Sequence, residues 1–216
     1  LYGVKEVSAG FRHTAILKED GTVWTVGSSS YGQLGNNGTA ARVLLLTQTI
    51  ESIEEIKDED TDTTTQKPVY VTDAKHILAS GLATYISRQK DEETGEAGMY
   101  VAGVNTNGQL FTQDTASRTI ATKVETDKDI LAMSVTQIAE ENYTNQAGAI
   151  ADQDGMVYTV GYNGYAQLAN GTTENSITPW CISQKKINVE KNIINFEKAG
   201  QTEQIEYNSS MGFNLI

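Results

Sequence analysis

Short stretches of alternating apolar and polar residues, each closed by a glycine-bearing turn, run through most of this chain. Thr22 to Val26 reads Thr-Val-Trp-Thr-Val, the two-residue period of a half-buried strand. A second apolar run, His13 to Lys18, precedes it, and Glu19-Asp20-Gly21 joins the two. Asp-Gly between two such runs predicts a hairpin, because both residues tolerate positive φ. The pattern returns at Ala149-Ile150-Ala151, with Asp154-Gly155 as the turn. Helical periodicity of any length is missing, so the expected class is all-β.

These strands belong to a repeat. Residues 21–34 read G-T-V-W-T-V-G-S-S-S-Y-G-Q-L, residues 98–110 read G-M-Y-V-A-G-V-N-T-N-G-Q-L, and residues 155–168 read G-M-V-Y-T-V-G-Y-N-G-Y-A-Q-L. The three align on Gly27, Gly103 and Gly161. Gln33-Leu34, Gln109-Leu110 and Gln167-Leu168 each begin six residues later. Gly32 and Gly108 precede the first two glutamines, and Ala166 precedes the third. Trp24, Tyr100 and Tyr158 each fall three residues before the aligned glycine, which is expected to end a strand and let the chain bend. Each copy is then a small antiparallel sheet whose apolar face is buried only by a neighbouring copy.

The aligned glycines are 76 and 58 residues apart. A propeller repeat of about 40–50 residues is shorter than either interval, so insertions are expected in loops. Candidates are the acidic, Thr-rich stretch at residues 48–66, the charged residues 90–96, and residues 139–146 between the first two strands of the third copy.

At these positions the chain resembles the RCC1 (regulator of chromosome condensation) repeat family. Copy one carries Val7-Ser8-Ala9-Gly10, His13-Thr14-Ala15, Asp20-Gly21-Thr22-Val23-Trp24 and Gly32-Gln33-Leu34-Gly35. Copy two keeps Ala79-Ser80-Gly81 and Gly108-Gln109-Leu110, with Thr84 in the place of His13. Copy three keeps Asp154-Gly155 and Gln167-Leu168, with Ala147 for the histidine and Ala166 for the glycine. The resemblance covers residues 4–183 and implies a partial β-propeller of three blades, at residues 4–75, 76–128 and 129–183 of a 1–183 domain. It also implies a ring of about seven blades, the remainder coming from a longer parent chain or from an oligomer. From Ile187 the texture changes: alternating strands flank Ala199-Gly200 and no Gly-Gln-Leu follows. Residues 184–216 resemble the opening strands of a bacterial immunoglobulin-like (Big-type) domain; the alternative is a strand set that closes the last blade. About 30 residues are too few for a complete sandwich of about 100.

Composition narrows the partners. With 38% hydrophobic residues the 216-residue chain can bury a core, and a net charge of −12 repels nucleic acid and anionic membrane. No apolar run approaches the ~18 residues of a membrane span. The chain opens on Leu1, as expected of a fragment or a processed chain. Cys181 is the only cysteine, which excludes an internal disulfide and a thiolate metal cluster within one chain. This composition fits a bacterial secreted or cell-surface protein.

Catalytic chemistry finds few carriers. His13 recurs at a repeat position and His76 begins an apolar strand, so both read as hydrogen-bonded structural residues. Cys181 reads as a small buried hydrophobe. No glycine loop of phosphate-binding pattern occurs. Asp152-x-Asp154-Gly155 lacks the further oxygen ligands of a calcium loop and reads as a turn. Asp58-Glu59-Asp60-x-Asp62 reads as a solvated loop. Trp24, Tyr100 and Tyr158 are expected in the core.

Tyr31, Tyr162 and Tyr165 lie in the loops before the Gln-Leu pairs, where aromatic faces suit recognition of protein or glycan or cover blade edges. The expected function is a non-catalytic, cofactor-free and metal-free bacterial surface scaffold for protein or glycan binding. The resemblance implies two alternatives: a secreted enzyme inhibitor of the β-lactamase-inhibitor kind, and a nucleotide-exchange factor for a small GTPase.

Overall fold

Alternation along the sequence becomes alternate burial in the computed structural model, which describes residues 1–126, 128–136 and 145–182. In β2 (His13–Lys18) and β3 (Val23–Gly27), the side chains of Ala15, Leu17 and Val23 are fully buried while their strand neighbours Ile16 and Trp24 are only half-buried. With β1 (Val4–Ala9) and β4 (Val43–Gln48) these strands make a four-stranded antiparallel sheet in the order β1-β2-β3-β4. After β5 (Ile50–Asp58) and β6 (Thr63–Tyr70), the same order recurs in β7 (Ala74–Ser80), β8 (Ala83–Arg88), β9 (Ala97–Gly103) and β10 (Arg118–Thr126). It recurs again in β11 (Ile130–Val135), β12 (Ala147–Asp152), β13 (Val157–Gly161) and β14 (Ser176–Cys181). The protein is all-β, and these sheets are three propeller blades.

Even the irregularities repeat. The first strand of each blade is bulged at its second residue, where Val4/Glu6, Ala74/His76 and Ile130/Ala132 shift register against the second strand. Such a bulge adds local twist, here at the same place in every sheet. The lysines at two of the bulges bind forward: Lys5 Nζ donates to the Lys75 carbonyl, and Lys75 Nζ donates to Asp129 Oδ2 at 2.8 Å.

Two apolar cores lie between the blades rather than inside any one of them. Ala15, Leu17 and Val23 of blade one meet Ile77, Ala79, Ile86 and Tyr100 of blade two. On the opposite face of blade two, Tyr85, Met99 and Val101 meet Val135 and Val160 of blade three, with Phe111 between. A fully buried Leu, Ile or Val is worth about 1.5–3 kcal/mol, so most of each blade's stabilisation requires its neighbour. The first strands β1, β7 and β11 lie innermost and together line a groove of about 320 Å³.

Several sequence expectations need correction. Residues 48–66 do not form a loop. Residues 50–58 pair with residues 63–70 as an antiparallel ribbon, β5 against β6, through Ile56↔Thr65 and Ile53↔Pro68, as β-branched residues favour. Tyr100 is in the core at 4% exposure, but Trp24 is on the face of blade one that turns away from blade two, and Tyr158 is half-buried beside the second core. The expected 184–216 segment and most of the 139–146 insertion lie outside the described residues and are neither corrected nor supported.

Gly27, Gly103 and Gly161 sit in like surroundings, with φ of 116°, 115° and 105°. A Cβ at these positions would strike the carbonyl oxygens of Arg12, Leu82 and Gln146, which precede the second strands of their own blades. Replacing Gly103 by alanine combines a strained φ with a backbone collision and should cost about 2–4 kcal/mol. Gly155, at φ 74° with open space around it, should cost only about 1 kcal/mol on the same change. Equilibrium denaturation of both variants checks the difference.

Candidate interaction surface

The loop joining the third and fourth strands of each blade is held by the same glutamine bond. Gln33, Gln109 and Gln167 accept, at Oε1, the backbone N–H of the residue two before: Tyr31, Asn107 and Tyr165, at 2.9, 3.0 and 2.9 Å. Leu34, Leu110 and Leu168 follow with no exposure at all. Two residues past each repeat glycine stands a buried polar residue: Ser29, Asn105 or Asn163. Asn105 Oδ1 accepts from Leu110 N–H and Asn163 Oδ1 from Leu168 N–H, both at 2.9 Å, while their Nδ2 groups donate to Asp114 and Thr172 carbonyls across the loop. Ser29 Oγ donates to the Gly38 carbonyl at 2.8 Å. Sequence reading passed over these three residues, although the shared spacing Gly-x-Ser/Asn was legible.

The glutamine's carbonyl is met in two ways. At the first junction Thr84 of blade two donates its hydroxyl to Gln33 O at 2.6 Å; at the second, Tyr85 of the same blade donates to Gln109 O at 3.1 Å. Thr84 does not occupy the place of His13, as the sequence alignment had it. Strand pairing sets His13, Ala83 and Ala147 each opposite its repeat glycine, so Ala83 holds that place. Matching Gly81 to Gly10 had slipped the frame by one residue. Thr84 instead receives His13: Nε2 lies 2.9 Å from Thr84 Oγ1. Because the Thr84 hydroxyl proton goes to Gln33 O, Oγ1 must accept, and His13 carries its proton on Nε2. Burial holds the His13 pKa down to about 4, against an opposing hydrogen bond to Ala83, so the ring is neutral at pH 7.

In a four-stranded meander these loops and the turns between first and second strands share one end. That end displays Tyr31, Tyr162, Tyr165 and Phe11, with Arg12 lying over the Phe11 ring at 5.0 Å. Tyr162 and Tyr165 meet edge to face, with centroids 6.4 Å apart, and Tyr165 is 86% exposed. Tyr31 occupies the position equivalent to Tyr165, in blade one, and is half-buried. At the third such position Asn107 accepts from Asn175 Nδ2 of blade three at 2.9 Å. The opposite end carries the acids Glu19, Asp20, Asp91, Glu92, Glu93 and Asp154 in its turns.

The remaining chemical candidates are placed elsewhere. His76 is half-exposed in the inner groove, with Nδ1 3.4 Å from Glu6 Oε2. Cys181 is only partly buried, on the outermost strand of blade three rather than in either core. The Asp58–Asp62 run turns the tip of the β5–β6 ribbon, where Asp58 Oδ1 accepts from Asp60 and Thr61 N–H. Asp152 Oδ1 caps its own turn through Asp154 and Met156 N–H. Among the described residues no group of three or more His, Cys, Asp or Glu converges as a metal site, and no helix is long and apolar enough to cross a membrane.

The fold defines a class: a β-propeller segment built from repeat blades. The family model for the regulator of chromosome condensation (RCC1) repeat matches residues 4–33. Probable E3 ubiquitin-protein ligase HERC4 of Rattus norvegicus is 26% identical over 180 residues, and its human counterpart 25%; each alignment takes in 82% of this chain. The chain spans about one seventh of the length of these relatives, 14%. A structure of Kap60 bound to yeast RCC1 (Prp20) superposes with a TM-score of 0.59 at 16% identity, over 85% of this chain and 37% of that one. Human WBSCR16 gives 0.54 at 18%, over 85% and 42%. These likenesses support the RCC1 β-propeller family, here with three blades.

Two outcomes follow. As pH falls, unfolded His13 gains a proton below about 6.5 while the folded ring stays neutral until about 4, so the unfolded state is favoured across that window by up to about 3 kcal/mol. The acid-induced loss of stability between pH 7 and 4 should therefore be smaller in His13→Gln by about that amount, measured by denaturant midpoints. Asn105→Ala should cost about 2–3 kcal/mol by orphaning buried loop groups. Tyr165→Ala should stay within about 0.5 kcal/mol, and thermal melts of the two variants compare them.

Proposed function

We propose that this chain is a non-catalytic binding scaffold that presents variable side chains on identically pinned loops to a protein partner. The observation that carries this reading is the contrast within each loop. The glutamine bond, the buried leucine and the buried Ser/Asn recur in each loop, while the one position whose N–H the glutamine holds carries tyrosine in two blades, Tyr31 and Tyr165, and asparagine, Asn107, in the other. Tyr162 and Tyr165 give the outer end a rigid aromatic pair with large area and little rotamer entropy to lose. The fold supports a scaffold role. The structures of yeast RCC1 (Prp20) include one bound to Kap60 and one described with binding to Gsp1p and histones, which supports protein over glycan as the partner class. Ligase activity is not carried over from relatives of which this chain spans so small a part. Nucleotide exchange on a small GTPase has the support of fold likeness alone. Work outside the cell is proposed from composition: one cysteine and a charge of −12.

Protein and glycan arrays probed with the wild-type chain should return a protein ligand. The Tyr162→Ala/Tyr165→Ala variant should bind it at least tenfold more weakly, about 1.4 kcal/mol, with an unchanged melting temperature. Unaltered binding by that variant, or steady hydrolysis of any arrayed substrate, would refute the reading.

A further inference from the structure

Four Asn-Gly pairs stand in the loops between third and fourth strands: Asn37-Gly38, Asn107-Gly108, Asn163-Gly164 and Asn170-Gly171. Such a pair has a chemistry of its own. Glycine has no Cβ to shield its backbone nitrogen, which can reach the carboxamide carbon of the asparagine before it. Closing that ring requires a carboxamide free to swing, and a peptide unit free to turn its nitrogen inward.

The fold denies this freedom to three of the pairs. Asn163 has no exposure; its Oδ1 accepts from Leu168 N–H, its Nδ2 donates to Asn170 Oδ1 and the Thr172 carbonyl, and its own carbonyl accepts from Ala166 N–H. Asn170 Oδ1 takes three donors, Asn163 Nδ2, Thr172 N–H and the Thr172 hydroxyl, at 3.0, 3.1 and 3.0 Å. At the remaining one the attacking nitrogen is engaged: Gly108 N–H donates to the Asn105 carbonyl at 2.9 Å, while Asn107 Oδ1 accepts from Asn175. Asn37 differs in each respect. Its side chain is exposed, and among the described residues nothing bonds its carboxamide. The peptide unit it shares with Gly38 is bonded at neither C=O nor N–H. The groups on either side are held: Asn37 N–H donates to the Thr119 carbonyl at 2.8 Å, and the Gly38 carbonyl accepts from Ser29 Oγ at 2.8 Å.

We propose that Asn37 is a site of spontaneous deamidation, the one Asn-Gly pair of the four that the fold leaves open to it. The Gly38 nitrogen loses its proton to hydroxide and attacks Asn37 Cγ, forming the C–N bond of a five-membered succinimide. The carboxamide nitrogen leaves as ammonia, taking a proton from water. Water then opens one or other C–N bond of the imide, giving aspartate or isoaspartate. Either product adds a negative charge to the blade-one loop. Asn37 holds a φ of 58°, which aspartate tolerates. Isoaspartate inserts a methylene into the backbone at the point where Asn37 bonds Thr119 and Asn36 bridges Ile120, so ageing there strikes the clip between blades one and two. The site owes nothing to the loop tyrosines or to any partner they bind.

Incubation of the native chain at mildly alkaline pH, followed by peptide mass mapping, should show replacement of NH2 by OH at residue 37. The rate should be at least about tenfold above that at residues 107, 163 and 170, a barrier difference of about 1.4 kcal/mol. Isoaspartate should accompany aspartate in the product, and the rate should rise with pH because the attacking nitrogen must lose its proton. Gly38→Ala should slow the reaction severalfold at an unchanged melting temperature. In denaturant the four sites should react at similar rates. Equal rates at the four sites in the native chain, a product free of isoaspartate, or a preference for residue 37 that persists in denaturant would overturn the proposal.

Discussion

At the end of the third strand in each blade, a glycine Cα lies against the carbonyl that precedes the second strand, at a distance no side chain could occupy. Gly27 against Arg12, Gly103 against Leu82 and Gly161 against Gln146 are the same contact made three times. It brings the third strand to an abrupt bend, and the bend starts the loop whose leucine and Ser/Asn are then buried in fixed positions. The apolar faces that pack between blades are aligned by the same strand ends. Without this approach of bare backbone to backbone, neither the blade registers nor the loop tips would be common to the three sheets.

The two junctions show how much variation that frame absorbs. At the first, a neutral histidine, a threonine and a glutamine carbonyl form a buried chain of polar contacts. At the second, Ala83 and Gly148 take the two corresponding positions. A Cβ on Gly148 would meet the Phe111 ring at 2.8 Å, so the aromatic occupies the space the polar chain uses elsewhere. One geometry is thus stabilised by hydrogen bonds in one place and by apolar area in another. His13 stays neutral, its one ring N–H finding an acceptor in Thr84 while Nδ1 is buried without a hydrogen-bond partner.

How far the sequence foretold this depends on the kind of signal. Gly27, Gly103 and Gly161 were legible because a steric demand leaves only one residue type, and period-two alternation around them marked the strands. The β5–β6 ribbon was not, since its acids and threonines read as loop when side-chain solubility is weighed without cross-strand pairing. Trp24 and Tyr158 share a sequence position with Tyr100 yet differ in burial. A blade has two faces, and which of them meets a neighbour is not written in the strand itself. That Arg88, opposite Ala74, and Asp152, opposite Ile130, hold equivalent places also needed strand register, because the two residues have opposite charge and no residue-type match would align them. Of the loop surface, the tyrosines were visible as residue types. Their presentation by Ser29, Asn105 and Asn163 depends on contacts across the loop that spacing alone does not reveal.

Gly32 and Gly108 lie under the fourth strand of the next blade, against Arg118–Thr119 and Ile177, so that a methyl group at either would displace that strand. The third copy carries such a methyl, on Ala166, which holds a φ of 58°. A sheet following blade three would therefore have to stand farther off or tilt at that corner. The spacing would change there, position 166 acting as a shim against any sheet placed beside it.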